Sequence, residues 1–76
     1  MKPLCLFAKG ERIVIRKIGV CGDDRARLIS LGICEGREAE IFFRDGQKTV
    51  LRLGAAKVAL CEKISLNIRA ERSDAP

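Results

Sequence analysis

The chain has 76 residues, 47% of them hydrophobic, and a formal charge of +5 from 15 basic and 10 acidic side chains. That length supports one small core and no second domain, and with no Trp or Tyr the core must rest on Leu, Ile, Val and three Phe. Histidine is absent, which removes the commonest general base, the Ser/His and Cys/His nucleophile pairs and the commonest transition-metal ligand, so the reading is of a non-enzyme.

Pro3 to Phe7 reads as an extended lead-in, and Lys9-Gly10-Glu11 as a turn. The lead-in is too short and too soon interrupted by Lys9-Gly10-Glu11-Arg12 to be a signal-peptide core. No apolar run approaches the roughly 20 residues a membrane helix needs. A reducing cytoplasm with free thiols at Cys5, Cys21, Cys34 and Cys61 is therefore expected.

From Arg12 to Ile18, Ile13 and Ile15 alternate with Arg12 and Arg16, which predicts a strand whose Ile18 re-enters the core past a local irregularity. Asp23 to Leu31 predicts a short helix, with Asp23 or Asp24 as N-cap, Gly32 at the left-handed C′ position and Ile33 packing back on the last turn. Leu28 and Leu31, three apart, are expected to share its buried face. Gly36 supplies a joint before the next strand.

Arg37 to Arg44 alternates, placing Ala39, Ile41 and Phe43 inward and Phe42 outward with Arg44. Asp45-Gly46 is a hairpin signal, and the return strand puts Thr49, Leu51 and Leu53 inward. Gly54-Ala55-Ala56 breaks the pattern, Lys57 to Leu60 reads as one helical turn, and Ile64 to Ala70 as a last strand. Residues 71–76 are expected to fray. Four or five short strands and one brief helix suggest a compact all-β barrel.

No glycine-rich phosphate loop is present, and Asp23-Asp24 reads as a helix cap rather than a catalytic pair. The cysteines lack the close spacing of zinc ligands, and Cys21, Cys34 and Cys61 read as small apolar fillers or spectator thiols. Should a divalent transition metal bind, Cys21, Cys34, Glu35 and Cys61 are the candidates; no cofactor is expected. Only Phe42 stands on an outward face beside basic residues, so no nucleic acid is expected either.

Three segments carry a family resemblance. They are Pro3-Leu4 through Phe7 with Gly10-Glu11-Arg12, then Arg27-Leu28-Ile29-Ser30-Leu31-Gly32-Ile33 with Gly36, and Val58-Ala59-Leu60 ahead of the final strand. In that order they resemble the ferrous iron transport protein A (FeoA) family. The resemblance implies an SH3-like barrel of about five short strands, with one short helix between the first two long strands, over residues 1–76. It departs from the family pattern at Glu35, where proline is common, in the hairpin shortened to Asp45-Gly46-Gln47, and at Cys61, where a basic residue is usual.

The resemblance further implies a small cytoplasmic accessory protein that regulates a FeoB-type ferrous iron permease by protein–protein contact, recruited to the inner face of the membrane through that partner. The surface assigned to the contact runs through Arg25, Arg27, Ser30, Gly32, Cys34 and Glu35, with Leu28 and Leu31 as scaffold. An open barrel edge makes homo-oligomers an expectation as well. The alternatives are a metal-sensing module built on the cysteines and Glu35, and a basic nucleic-acid-binding barrel. A similar SH3-like module ends the iron-dependent repressors of the diphtheria toxin repressor type, but their DNA-binding helices are missing here.

Overall fold

The computed structural model describes residues 1–73. Its elements are β1 (Lys2–Pro3), a 3-10 turn (Leu4–Leu6), β2 (Arg12–Ile18), α1 (Gly22–Ser30), β3 (Glu38–Arg44), β4 (Lys48–Leu53), β5 (Ala56–Cys61), α2 (Glu62–Leu66) and β6 (Ile68–Arg72). The strands form one antiparallel sheet in the order β1-β6-β2-β3-β4-β5. α2 packs on the 3-10 turn, β4, β5 and β6, covering the side between the two ends of the sheet. This is the expected small all-β barrel, with α1 between the first two long strands.

The inner faces of the strands supply the core. Ile13 and Ile15 from β2, Ile41 from β3, Leu51 from β4 and Ile68 from β6 are fully buried, together with Leu4 and Phe7 from the N-terminal lead-in. β2 carries the expected irregularity: Ile15 pairs with Ala70 and Lys17 with Arg69, leaving Arg16 as an extra residue. That insertion restores Ile18 to the inner face, opposite Ile68.

β3 carries a second bulge that alternation did not anticipate. Ile41 pairs with Leu51 but Phe43 pairs with Val50, so Phe42 is the extra residue. The phase of the strand shifts by one, and Phe43 turns outward instead of inward. Arg44 then reaches round to donate from Nη1 to the Phe7 C=O at 3.1 Å. The Asp45-Gly46 hairpin forms as expected, but Gly46 has no positive φ. Its geometry comes from the Asp45 carboxylate, which accepts from the N–H groups of Gln47 at 2.7 Å and Lys48 at 2.9 Å.

The C-terminal third corrects three expectations. Lys57 to Leu60 is strand, not helix: Gly54 at φ +64° turns the chain within two residues, and Ala56 to Cys61 pairs back along β4 from Leu53 to Lys48. Val58 and Leu60 accordingly alternate inward. Ile64 to Leu66 is helix, not strand. β6 lies between β1 and β2, so the chain leaving β5 has to cross the open side of the sheet, and α2 makes that crossing with Ser65 buried and Leu66 exposed. Finally, Glu71 and Arg72 pair with Val14 and Ile13, and the Ser73 N–H donates to the Arg12 C=O at 2.9 Å. Fraying is thus not seen at 71–73, and residues 74–76 lie outside the described residues.

Candidate partner-binding site

α1 runs from Gly22 to Ser30, so its cap lies two residues before Asp23 and three before Asp24, the two caps read from the sequence. Cys21 occupies the N-cap with no side-chain hydrogen bond, and Asp23 and Asp24 stand inside the first turn. There their carboxylates meet the positive end of the helix dipole instead of capping it. The C-terminus follows expectation. Gly32 adopts φ +93°, its N–H donates to Ile29 C=O at 3.0 Å, and Ile33 N–H donates to Leu28 C=O at 2.9 Å. These two bonds make a Schellman motif, which reverses the chain and drives Ile33 into the core.

The reversal sets two polar clusters on either side of the helix. On one, Arg25 donates from Nη1 to the Ile18 C=O at 3.2 Å and from Nη2 to both Glu35 carboxylate oxygens at 3.3 Å. The Glu35 carboxyl is held below the ordinary glutamate range, first by its own backbone N–H, which outweighs the opposing desolvation, and then by the Arg25 hydrogen bond and charge. On the other side, Arg27 pairs with Asp24 at 3.4 Å, and Ser30 Oγ donates back to the Arg27 C=O at 2.7 Å.

Beyond the Arg27 side lies a groove of about 320 Å³ between α1 and β5. Its apolar lining is Leu28, Leu31, Leu60 and Ile64, and its rim carries Asp24, Arg27 and Cys61. Leu31, expected in the core, is 46% exposed, whereas Leu28 keeps 4%. Leu31 is the C-cap residue, and the chain reversal after it lifts its side chain onto the groove wall. Sequence reasoning missed the groove because β5 was read as helix.

β5 gives the groove a second property. Among the described residues it pairs only with β4. Leu53 and Ala56 flank the two-residue turn and exchange both backbone bonds, so alternation directs the N–H and C=O of Lys57, Ala59 and Cys61 to the outer edge. Inward Leu60 and outward Ala59 and Cys61 all line the groove, so it runs along this unpaired edge.

Residues 2–72 match the family model described as the FeoA domain. The chain belongs to the FeoA family. No curated protein matches it. Among solved structures, this FeoA-family chain superposes on iron(II) transport protein A from Clostridium thermocellum with a TM-score of 0.85 and 24% identity, over 92% of this chain and 44% of that one. It thus spans less than half of that protein. A crystal structure of an iron uptake regulatory protein, FeoA, gives 0.84 and 15% identity over 95% and 96% of the two chains. A FeoA-like protein from Clostridium acetobutylicum gives 0.78 and 19% over 93% and 85%. At these identities the likeness establishes the SH3-like fold, and family membership supports a role in ferrous iron transport.

Of the predicted contact residues, Arg25 and Glu35 form one cluster and Arg27 and Ser30 the other, with Gly32 at the turn between them. Cys34 is exposed beside Glu35. The metal candidates are not brought together: among the described residues no three His, Cys, Asp or Glu side chains are grouped to hold an ion. Cys21, Cys34 and Cys61 are exposed free thiols, so none is an apolar filler. Among the described residues no helix is long and apolar enough to cross a membrane.

Proposed function

We propose that this FeoA-family chain is a non-enzymatic accessory protein of ferrous iron uptake that binds the cytosolic region of a FeoB-type iron permease. Family membership supports the pathway. The observation that carries the contact is the groove between α1 and β5, where an apolar floor lies against an unpaired strand edge. An apolar side chain of the partner enters between Leu31 and Ile64, while Arg27 and Asp24 on the rim set its register from the helix side. Polar groups near the rim select the partner, and the apolar floor supplies most of the affinity. The protein works in the cytoplasm and reaches the membrane only through the permease.

Binding of the full chain to the cytosolic part of the cognate permease tests this, measured by calorimetry without nucleotide, with GDP and with a GTP analogue, each in the presence of ferrous iron. Binding in at least one state, weakened about tenfold or more by Leu31→Asp, is the expected result. No binding in any state removes the proposal.

A further inference from the structure

The bulge at Phe42 creates a second surface, on the outer face of the sheet, which meets the groove at Ala59. It turns Phe43 outward, so two adjacent phenylalanines stand on the outer face of the sheet at 40% and 42% exposure. Phe43 pairs with Val50, and Val50 with Ala59, which makes an apolar row across β3, β4 and β5. The Lys57 ammonium sits 4.1 Å from the centre of the Phe42 ring. Lys48 lies two residues along β4 from Val50, and Lys57 two residues along β5 from Ala59 in the opposite direction, so cations flank the row on both sides. Among the described residues neither lysine has a carboxylate within ion-pair distance, whereas neighbouring Arg52 is paired to Glu40.

We propose that this face is a binding platform for single-stranded nucleic acid: one base stacks against Phe43, the Lys57 ammonium swings from the Phe42 ring to a phosphate and frees that ring for a second base, and Lys48 meets another phosphate. The sequence set nucleic acid aside because one outward aromatic was too few, and the bulge supplies the second. Aromatic rings on a sheet with flanking cations are the combination that sequence-tolerant single-strand binding requires. Strand rise places Lys48 and Lys57 on opposite sides of the row, each roughly 7 Å along its strand and so about 14 Å apart in that direction, a spacing that suits two phosphates with a third between them. The net charge of +5 favours a polyanion. Insertion into a lipid surface would need side chains that stand clear of the fold. Both rings instead lie more than half covered on the sheet, with Val50 and Ala59 as a shallow floor, which suits a planar base.

Fluorescence anisotropy of labelled oligouridylate and oligothymidylate of about 12 nucleotides, within the usual site size, tests the assignment with the full chain. Binding is expected at low salt, with log K falling against log salt by about 0.7 per phosphate contact, and Lys57→Gln removing one contact from that slope. Phe42→Ala and Phe43→Ala should each weaken binding about tenfold or more, and Phe43→Tyr should keep it. Thermal melts of the variants establish that they remain folded. No binding up to about 10⁻⁴ M protein, the weak end of non-specific affinity, overturns the proposal. So does an equal loss from Arg16→Gln, which lies on β2, or retention on phosphatidylglycerol vesicles without oligonucleotide binding, which would assign the face to lipid.

Discussion

The N–H of Ile33 donates to the C=O of Leu28 at 2.9 Å, closing α1 from beyond its own end. The same two residues are buried, Leu28 at 4% and Ile33 at 0% exposure. One short loop therefore satisfies a terminal helix carbonyl, anchors the helix to the core and lifts the intervening Leu31 to the surface. The groove wall is a by-product of this anchoring.

Leu28 and Leu31 should differ sharply in consequence. Leu28→Ala removes a buried side chain from a packed site and should cost about 2–5 kcal/mol. Leu31→Ala should change stability by about 0.5 kcal/mol or less, as for exposed positions. Urea denaturation of both variants checks this, and comparable shifts in their midpoints would show that Leu31 is structural after all.

The helix end was readable because its signals are local: glycine at the left-handed position and an apolar residue just after it. The Asp45-Gly46 hairpin and the inward set Thr49, Leu51 and Leu53 were readable for the same reason. Phe43 was not. A bulge adds one residue without any composition to mark it, and period-two reasoning then puts the next residue of the strand, Phe43, on the wrong face. Ile64 and Leu66 misled in another way, since their alternation with Ile68 imitates a strand while topology demands a crossing there. The groove needed both β5 and the lift of Leu31, so of the predicted contact residues only Arg27 lines it.

Gly19 is a position where space, not φ, requires glycine. Its N–H donates to Asn67 C=O at 2.6 Å, and a Cβ there would lie 2.8 Å from that same oxygen. The neighbour is backbone at the junction of α2 and β6 and has little freedom to yield. Gly19→Ala should destabilise the protein by about 1–3 kcal/mol, as overpacking does. Gly10→Ser, whose Cβ meets nothing nearby, should lose stability only through its positive φ of 90°, by about 1–2 kcal/mol. Thermal unfolding measures both, and a crystal or solution structure of Gly19→Ala should show Asn67 displaced.

Ser65 is fully buried and its hydroxyl has no hydrogen-bond partner among the described residues. An unsatisfied buried hydroxyl costs about 1–3 kcal/mol, so removing it need not destabilise. Ser65→Ala is expected to leave the denaturation midpoint unchanged or raise it. A clear fall in midpoint would mean that the hydroxyl has a partner in solution.

Arg25 and Glu35 provide a titration test of the clasp beside α1. The largest influence holding the Glu35 carboxyl down is its own N–H, with the Arg25 hydrogen bond and charge behind it. Arg25→Gln should therefore raise the Glu35 pKa part of the way, and not fully, to the ordinary value of about 4.3. Carboxyl chemical shifts followed by NMR between acid and neutral pH report this directly. An unmoved Glu35 would place Arg25 away from it in solution.

The Asp45 carboxylate gives the hairpin a pH dependence whose sign follows from its bonds. Hydrogen bonds from the Gln47 and then the Lys48 N–H lower its pKa, with the Lys48 charge assisting and desolvation opposing. The folded pKa thus lies below the unfolded one, near about 3.9. Its contribution to stability is fully present above the unfolded value and is lost as pH falls through the folded value. Asp45→Asn keeps an acceptor oxygen for both N–H groups but carries no titrating charge. The wild-type midpoint should therefore exceed that of Asp45→Asn at neutral pH and converge on it in acid, measured by urea unfolding across that range. A constant gap would show that the carboxylate holds the turn by shape and not by charge.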